Sequence, residues 1–229
     1  YLIKENGKTF SWGGKYSPNF DQRETLFTDL GVFERFAPKI DSSKFNNPIL
    51  FLANIQPQLQ MQVINQLKNA SLIVMDTMNL WIDNCLKELK DVIKKVNILL
   101  INEEEIIDLT GIDDLYKAAS SILKNGPQHV IIKKGSKGAI IVSNKENISI
   151  PAVPNIDVFD PTGAGDSFAG GFLGYLATNQ NFDLTGAVIH GTAVASYTVS
   201  GFGIEAIEKI EFNNIKNRVK LLEELIKEN

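Results

Sequence analysis

Residues 160–166 read Asp-Pro-Thr-Gly-Ala-Gly-Asp and run straight into an apolar, small-residue stretch. A glycine turn opening a helix leaves N–H donors unpaired at the positive end of the macrodipole. Glycine also lets a ligand approach the backbone closely. Gly163, Ala164 and Gly165 are therefore expected to form an anion site, best suited to phosphate or to oxygens gaining negative charge. Asp166 falls where its carboxylate shares that space. An acid beside an anion site is costly unless it has work to do, and its natural work is to take a proton from a hydroxyl attacking phosphorus. The plainer reading, a tight helix start, suits Gly170, Gly171 and Gly174, which would give the helix a close-packed face.

Two familiar glycine fingerprints fail here. The only Gly-Lys-Thr, at Gly7, Lys8 and Thr9, has Leu2 where a Walker loop needs its first glycine. A dinucleotide fingerprint begun at Gly163 ends on Phe168 instead of glycine.

The elements that must position this turn follow from the pattern. Asn6-Gly7 suggests a type I′ hairpin joining residues 1–5 to 8–12. Residues 13–48 read as loop with short irregular pieces. Apolar runs at 49–54, 72–76, 97–102 and 129–135 suit buried strands, and 138–144 with 147–153 suit an antiparallel pair. Helices are expected from Pro57 to about 70, then over 80–95, 103–108, 114–124, 164–178, 183–199 and 214–227. A buried-type strand is expected to lead into the glycine turn. Strands alternating with helices imply a three-layer α/β/α domain with a mostly parallel sheet.

The 229 residues, 44% hydrophobic and 22% charged, suffice for one sizeable core, and a single domain is expected. A net charge of −4 argues against nucleic-acid binding. No apolar run is long enough for a membrane span. The single cysteine, Cys85, excludes an intrachain disulfide and fits a cytoplasmic setting.

The segment from Asp160 to Phe172 resembles the C-terminal signature of the ribokinase (PfkB) family of carbohydrate and nucleoside kinases. Other segments agree in order: Asn102 and Glu105 match the family's Asn-x-x-Glu motif, residues 133–139 resemble its Lys-x-Gly-x-x-Gly stretch, and Asp76 to Asn79 resemble its Asp-x-x-Asn segment. The likeness covers nearly all of residues 49–204. It implies a ribokinase-like fold with a small β lid, residues 1–17 forming part of that lid, and an ATP-dependent phosphotransferase acting on a sugar or nucleoside. Asp166 would be the base, and the amides of Gly163, Ala164 and Gly165 the anion hole. Asn102 and Glu105 would organise Mg²⁺, largely through water. Asp160 and Thr162 resemble positions that hold a monovalent cation such as K⁺. Lys134, Gly135, Gly138, His190 and Val194 would lie along the nucleotide, although His190, in a helix rich in small residues, also reads as a packed core histidine. Asp76 and Asn79 read equally well as a strand end and a helix cap.

On the acceptor side the sequence offers less. Asn54 is a candidate to face the acceptor. Trp12 either covers a core or lines a lid over substrate. Family members begin with a strand and a glycine-pair motif that grip the sugar, and nothing before Tyr1 matches them, so an N-terminal part is expected to be missing from this numbering. A homodimer through the lid is a further expectation. The rival from another class is a non-catalytic nucleotide- or sugar-binding protein on the same scaffold.

Overall fold

A computed structural model of the chain describes residues 4–17, 23–179 and 181–228. The chain divides into two compact units, Tyr1–Ile40 and Asp41–Asn229, where the sequence suggested one domain.

In the first unit, strand β1 (Ser11–Tyr16) pairs antiparallel with β2 (Arg23–Asp29), with a bulge at Gly13/Gly14. The expected hairpin at Asn6-Gly7 does not form among the described residues. Residues 4–10 carry no strand, and Gly7 has φ 145°, far from a type I′ value. The Lys8 carbonyl instead accepts from the Val32 N–H (2.9 Å). The first arm's residues 1–3 lie outside the described residues. Strand β2 was hidden in the sequence because residues 24–29 are all exposed, so neither face demands an apolar alternation.

The second unit holds a six-stranded sheet in the order β3-β4-β5-β6-β7-β8. Strands β3 (Ile49–Leu52), β4 (Leu72–Met75), β5 (Ile98–Asn102) and β6 (His129–Lys133) run parallel. Strands β7 (Ala139–Ser143) and β8 (Asn147–Ile150) return antiparallel. Five helices interleave with the parallel strands: α1 (Pro57–Gln66), α2 (Asn79–Asn84), α3 (Leu86–Ile93), α4 (Glu103–Thr110) and α5 (Leu115–Leu123). Helices α6 (Ala164–Thr178), α7 (Leu184–Thr198) and α8 (Phe212–Lys227) complete the chain. The single helix expected over 80–95 is broken at Cys85 (φ −138°), which turns Trp81 toward the β3 end while Leu89 and Val92 stay buried.

Strand β5 is buried on both faces, as a central parallel strand must be. Ile98, Leu100 and Ile131 share a core with Phe168, Phe172, Ala187 and Val188 of α6 and α7. Leu99, Ile101, Val130 and Ile132 alternate to the other face, where α4 and α5 pack. Helices α6 and α7 approach closely because Gly171 and Gly191 leave no side chain between them. A Cβ on either would come within 2.8 Å of a facing carbonyl oxygen, of His190 and Phe168 respectively. Gly170 and Gly174 face open space, so the close-packed face expected from three glycines rests on Gly171 alone. No helix among the described residues is long and apolar enough to cross a membrane.

The parallel strands end on one edge of the sheet, where open α/β folds collect their ligands. Asn54, Asp76, Asn102 and Lys133 all stand at or just past those carboxyl ends.

Candidate active site

The glycine turn is tied to α7 before α6 begins. The N–H groups of Phe159 and Asp160 donate to the Val199 carbonyl (2.7 and 3.2 Å). The Thr162 N–H then donates to Asp160 Oδ1 (2.9 Å). Gly163 caps α6 at φ 79°, a left-handed conformation that explains why glycine stands there. Its carbonyl accepts from the Ser167 N–H (2.9 Å) and Ser167 Oγ (2.6 Å), and buried Thr198 donates onward to Ser167 Oγ (2.7 Å). No strand precedes the turn, contrary to expectation: residues 151–163 are irregular, and Val158 and Phe159 are exposed.

The Ala164 N–H donates to the Pro161 carbonyl (3.2 Å), so it points into the chain. Among the described residues, the N–H groups of Gly163, Gly165 and Asp166 have no protein acceptor. These donors lie on one helical turn, the arrangement that suits an anion.

A cation stands over the same turn. Lys133 Nζ lies 3.0 Å from both Asp76 oxygens, with side chains 18% and 9% exposed. A Cβ built on Gly165 would sit 3.4 Å from that nitrogen. Asp76 Oδ1 also accepts from the Thr77 N–H (3.0 Å). The strand ends around Asp76 are pinned by buried Gln60, whose Nε2 donates to the Ala53 carbonyl (2.9 Å) and reaches that of Asp76 (3.3 Å).

Burial alone would lower the Lys133 pKa. Attraction by Asp76, Glu105 and Asp166 outweighs it, so the ammonium is held above its ordinary range. Asp166 is pushed up by partial desolvation first and by the Asp76 charge second, against Lys133, which pulls it down. The residue is nonetheless exposed to solvent.

Lys133 is the functional candidate that sequence reasoning missed. The signal was present, because Lys133, not Lys134, stands in register for Lys-x-Gly-x-x-Gly with Gly135 and Gly138. The N–H of Lys134 closes the turn onto the Gly138 carbonyl (2.8 Å). Gly135 (φ 54°) faces open space. Gly138 (φ 85°) has a packing reason instead: a Cβ there would collide with the Ile150 carbonyl oxygen and lie 2.6 Å from the Pro151 carbonyl carbon.

Asn102 and Glu105 form a reciprocal capping box on α4. Asn102 Oδ1 accepts from the Glu105 N–H (2.8 Å), and Glu105 Oε2 from the Asn102 N–H (3.0 Å). The cap leaves Glu105 buried yet close enough for its charge to act on Lys133. Among the described residues no group of three or more His, Cys, Asp or Glu is arranged to hold a metal. The charge balance nevertheless fits Mg²⁺ arriving with a polyphosphate. The carboxylates of Asp76, Glu105 and Asp166 outnumber the one ammonium, and this ion takes few protein oxygens and keeps its waters.

The other candidates are dispersed. His190 Nδ1 lies 2.8 Å from the Gly186 carbonyl, with its ring 4.3 Å from Tyr175, as a packed histidine would be. Val194 packs where a side chain on Gly171 would stand. Asn54 Oδ1 accepts from Trp81 Nε1 (2.7 Å), and its Nδ2 lies 3.0 Å from Met78 Sδ. Asn79 Nδ2 donates to Asp108 Oδ2 (2.9 Å), tying α2 to α4. Trp12, in the first unit, lies over Gly14 and reaches Thr25 Oγ1 (3.4 Å).

The turn, the acid and the lysine stand at the edge of an open α/β sheet, where such folds collect their ligands. Residues 21–210 match the pfkB family of carbohydrate kinases, and the chain belongs to that family. It is 30% identical over 151 residues to the cytidine kinase of Thermococcus kodakarensis, covering 63% of this chain and 54% of that protein. It is 27% identical over 190 residues to the nucleoside kinase of Methanocaldococcus jannaschii, covering 81% and 59%. The chain thus spans little more than half the length of these relatives. The crystal structure of Methanocaldococcus jannaschii nucleoside kinase, an archaeal member of the ribokinase family, superimposes with a TM-score of 0.75. That match has 24% identity and covers 95% of this chain and 70% of that one. The fold is ribokinase-like, with a mostly parallel sheet flanked by helices and a small antiparallel sheet.

Proposed function

We propose that the chain carries the phosphoryl-transfer half of an ATP-dependent kinase whose acceptor is a sugar hydroxyl. The observation that carries this reading is Asp166, open to solvent on the same helical turn as the unpartnered amides of Gly163 and Gly165. Asp166 takes the acceptor's proton as its oxygen bonds to the γ-phosphorus. The bond from that phosphorus to the bridging oxygen breaks, and ADP leaves. Amide donors at 163, 165 and 166 stabilise the equatorial oxygens as charge spreads over them. Asn102 and Glu105 would hold magnesium, largely through water, and the ion would supply charge neutralisation to the polyphosphate.

The nucleotide is assigned to the turn at Lys134, Gly135 and Gly138 and to the α7 flank with His190 and Val194, Gly135 being the open member of that set. Asp160 and Thr162 are the proposed monovalent-cation residues, and Asn54 and Trp12 the proposed acceptor side. Exposed Leu26 and Phe27 on β2 support a lid that pairs in a homodimer. The lone Cys85 supports a cytoplasmic setting. A nucleoside acceptor is the second reading, favoured by the names of the two relatives above. A binding protein without turnover gains nothing from an acid at an anion site.

The test is ADP formation by the complete protein with ATP, Mg²⁺ and a panel of pentoses, hexoses and nucleosides. One acceptor class should stimulate turnover, and failure with every acceptor contradicts the kinase reading. The metal assignment has its own check. Glu105→Gln keeps an oxygen for the Asn102 N–H but withdraws a charge that supports the Lys133 ammonium, so it should lose some stability while the half-saturating Mg²⁺ concentration rises. Asn102→Ala loses the cap and should cost about 0.5–2 kcal/mol of stability. An unchanged Mg²⁺ dependence in Glu105→Gln would leave that residue with the cap alone.

A further inference from the structure

We propose that Thr198 and Ser167 form a hydroxyl relay that positions the glycine turn, so that α7 as well as α6 sets the aim of its amides; this rests on the kinase reading above. The direction of the relay follows from its last member. A carbonyl can only accept, so the Ser167 hydroxyl proton is committed to the Gly163 oxygen, 2.6 Å away. Thr198 is then the donor across the 2.7 Å to Ser167 Oγ, and its proton goes to another helix. The hydroxyls of Thr110, Ser120 and Ser196 do the opposite. They return their protons to carbonyls of their own helices, the ordinary habit of threonine and serine there.

Thr198 is the last residue of α7 and is buried, its methyl 3.8 Å from the place a Gly163 Cβ would occupy. The next residue, Val199, takes the N–H groups of Phe159 and Asp160 on its carbonyl. The end of α7 therefore holds the turn on both sides of Pro161 and Thr162. Glycine gives position 163 its left-handed φ of 79° but brings conformational freedom with it. The relay removes that freedom. A peptide unit is planar, so a held Gly163 carbonyl also fixes the plane from which the first turn of α6 starts. Amide donors stabilise developing charge only when they are aimed before the reaction. Thr198 and Ser167 are thus positioning residues, acting through the backbone of the turn.

The experiment compares the complete parent protein with Thr198→Val, which keeps the shape and removes the proton, and Thr198→Ser, which keeps the proton and removes a methyl. With the acceptor that best stimulates the parent, kcat in Thr198→Val is expected to fall about 10- to 100-fold, the scale of a misplaced reacting group. KM for ATP, and the calorimetric Kd of a non-hydrolysable ATP analogue with Mg²⁺, should stay within about threefold, because the aim of the amides matters most in the transition state. Thr198→Ser should return kcat to within about threefold of the parent. A packing role alone would rank valine as the better mimic of threonine, so this order separates the relay from packing. Parent-like turnover in Thr198→Val, equal slowing in both variants, or a loss carried by KM alone would overturn the relay. A parent that forms no ADP with any acceptor would overturn the kinase reading, and ligand-free ¹H–¹⁵N spectra then decide the relay separately. Amides of Gly163 and Gly165 displaced in Thr198→Val and returned in Thr198→Ser support it; amides unmoved in Thr198→Val refute it. Should Thr198→Val not fold, Ser167→Ala, at a half-buried position, takes its place with the same expected loss and the same contrary outcome.

Discussion

Asp166→Asn is expected to fold normally and to turn over about 10² to 10⁴ times more slowly, the range for loss of a general base. Its stability should move the other way. The folded protein holds the Asp166 proton more tightly than an ordinary carboxylic acid does, through desolvation first and the Asp76 charge second, with Lys133 opposing. The ionised form therefore costs folding stability, and that cost grows as pH rises from the usual carboxylate range through the raised pKa. At neutral pH the amide avoids it, so the variant should melt no lower than the parent; the side chain is exposed, and the gain is small. The raised pKa also predicts that kcat/KM in the parent falls away on the acid side at a pH above the usual range for an aspartate. Parent-like turnover in the purified variant would remove Asp166 from the chemistry.

Gly138→Ala should be the most destabilising of the conservative glycine changes near the site. Its φ of 85° with ψ −134° lies near a region that is essentially glycine's alone and costs an L-residue about 1–3 kcal/mol. The added methyl also meets the Ile150 carbonyl oxygen and the Pro151 backbone, which cannot swing aside as a flexible side chain would. Overpacking of this kind adds about 1–3 kcal/mol. Gly135→Ala is the control, with open space around its Cβ and a smaller backbone cost at φ 54°, and should lose only about 1–2 kcal/mol. Urea denaturation of both checks the ordering. Equal losses would mean that the β7–β8 region yields to the methyl, and that Gly138 is not held by packing.

The two glycines show what the sequence could and could not disclose. A Lys-x-Gly-x-x-Gly spacing places both on one loop but does not say which admits a ligand and which admits a neighbouring strand. That difference comes from β8 returning across Gly138, a contact made by residues twelve and thirteen positions along the chain. The alternation of strands and helices in the second unit was legible because its strands are buried and helices such as α3, α5 and α8 are amphipathic. The sheet of the first unit was not, since an exposed two-stranded ribbon has no buried face to write a period into the sequence. In the site, the glycine turn and Asp166 stood out because their residue types are costly without a ligand. The pairing of Asp76 with Lys133 did not, because an acid at one strand end and a lysine at another, 57 residues apart, give no sign of each other until the sheet sets them 3.0 Å apart. The capping box shows the converse: Asn102 and Glu105 satisfy a helix start completely, so their motif spacing by itself does not separate a metal role from a structural one.

The central claim is that the backbone at the start of α6 receives the migrating phosphoryl group. The direct measurement is a ¹H–¹⁵N spectrum of the labelled complete protein, titrated with Mg²⁺ and the non-hydrolysable ATP analogue, then with Mg²⁺ and ADP. The amides of Gly163, Gly165 and Asp166 should shift with the analogue well beyond their response to ADP, while the Ala164 amide, already given to Pro161, moves less. Stationary resonances at 163, 165 and 166 in the presence of bound analogue would contradict the account.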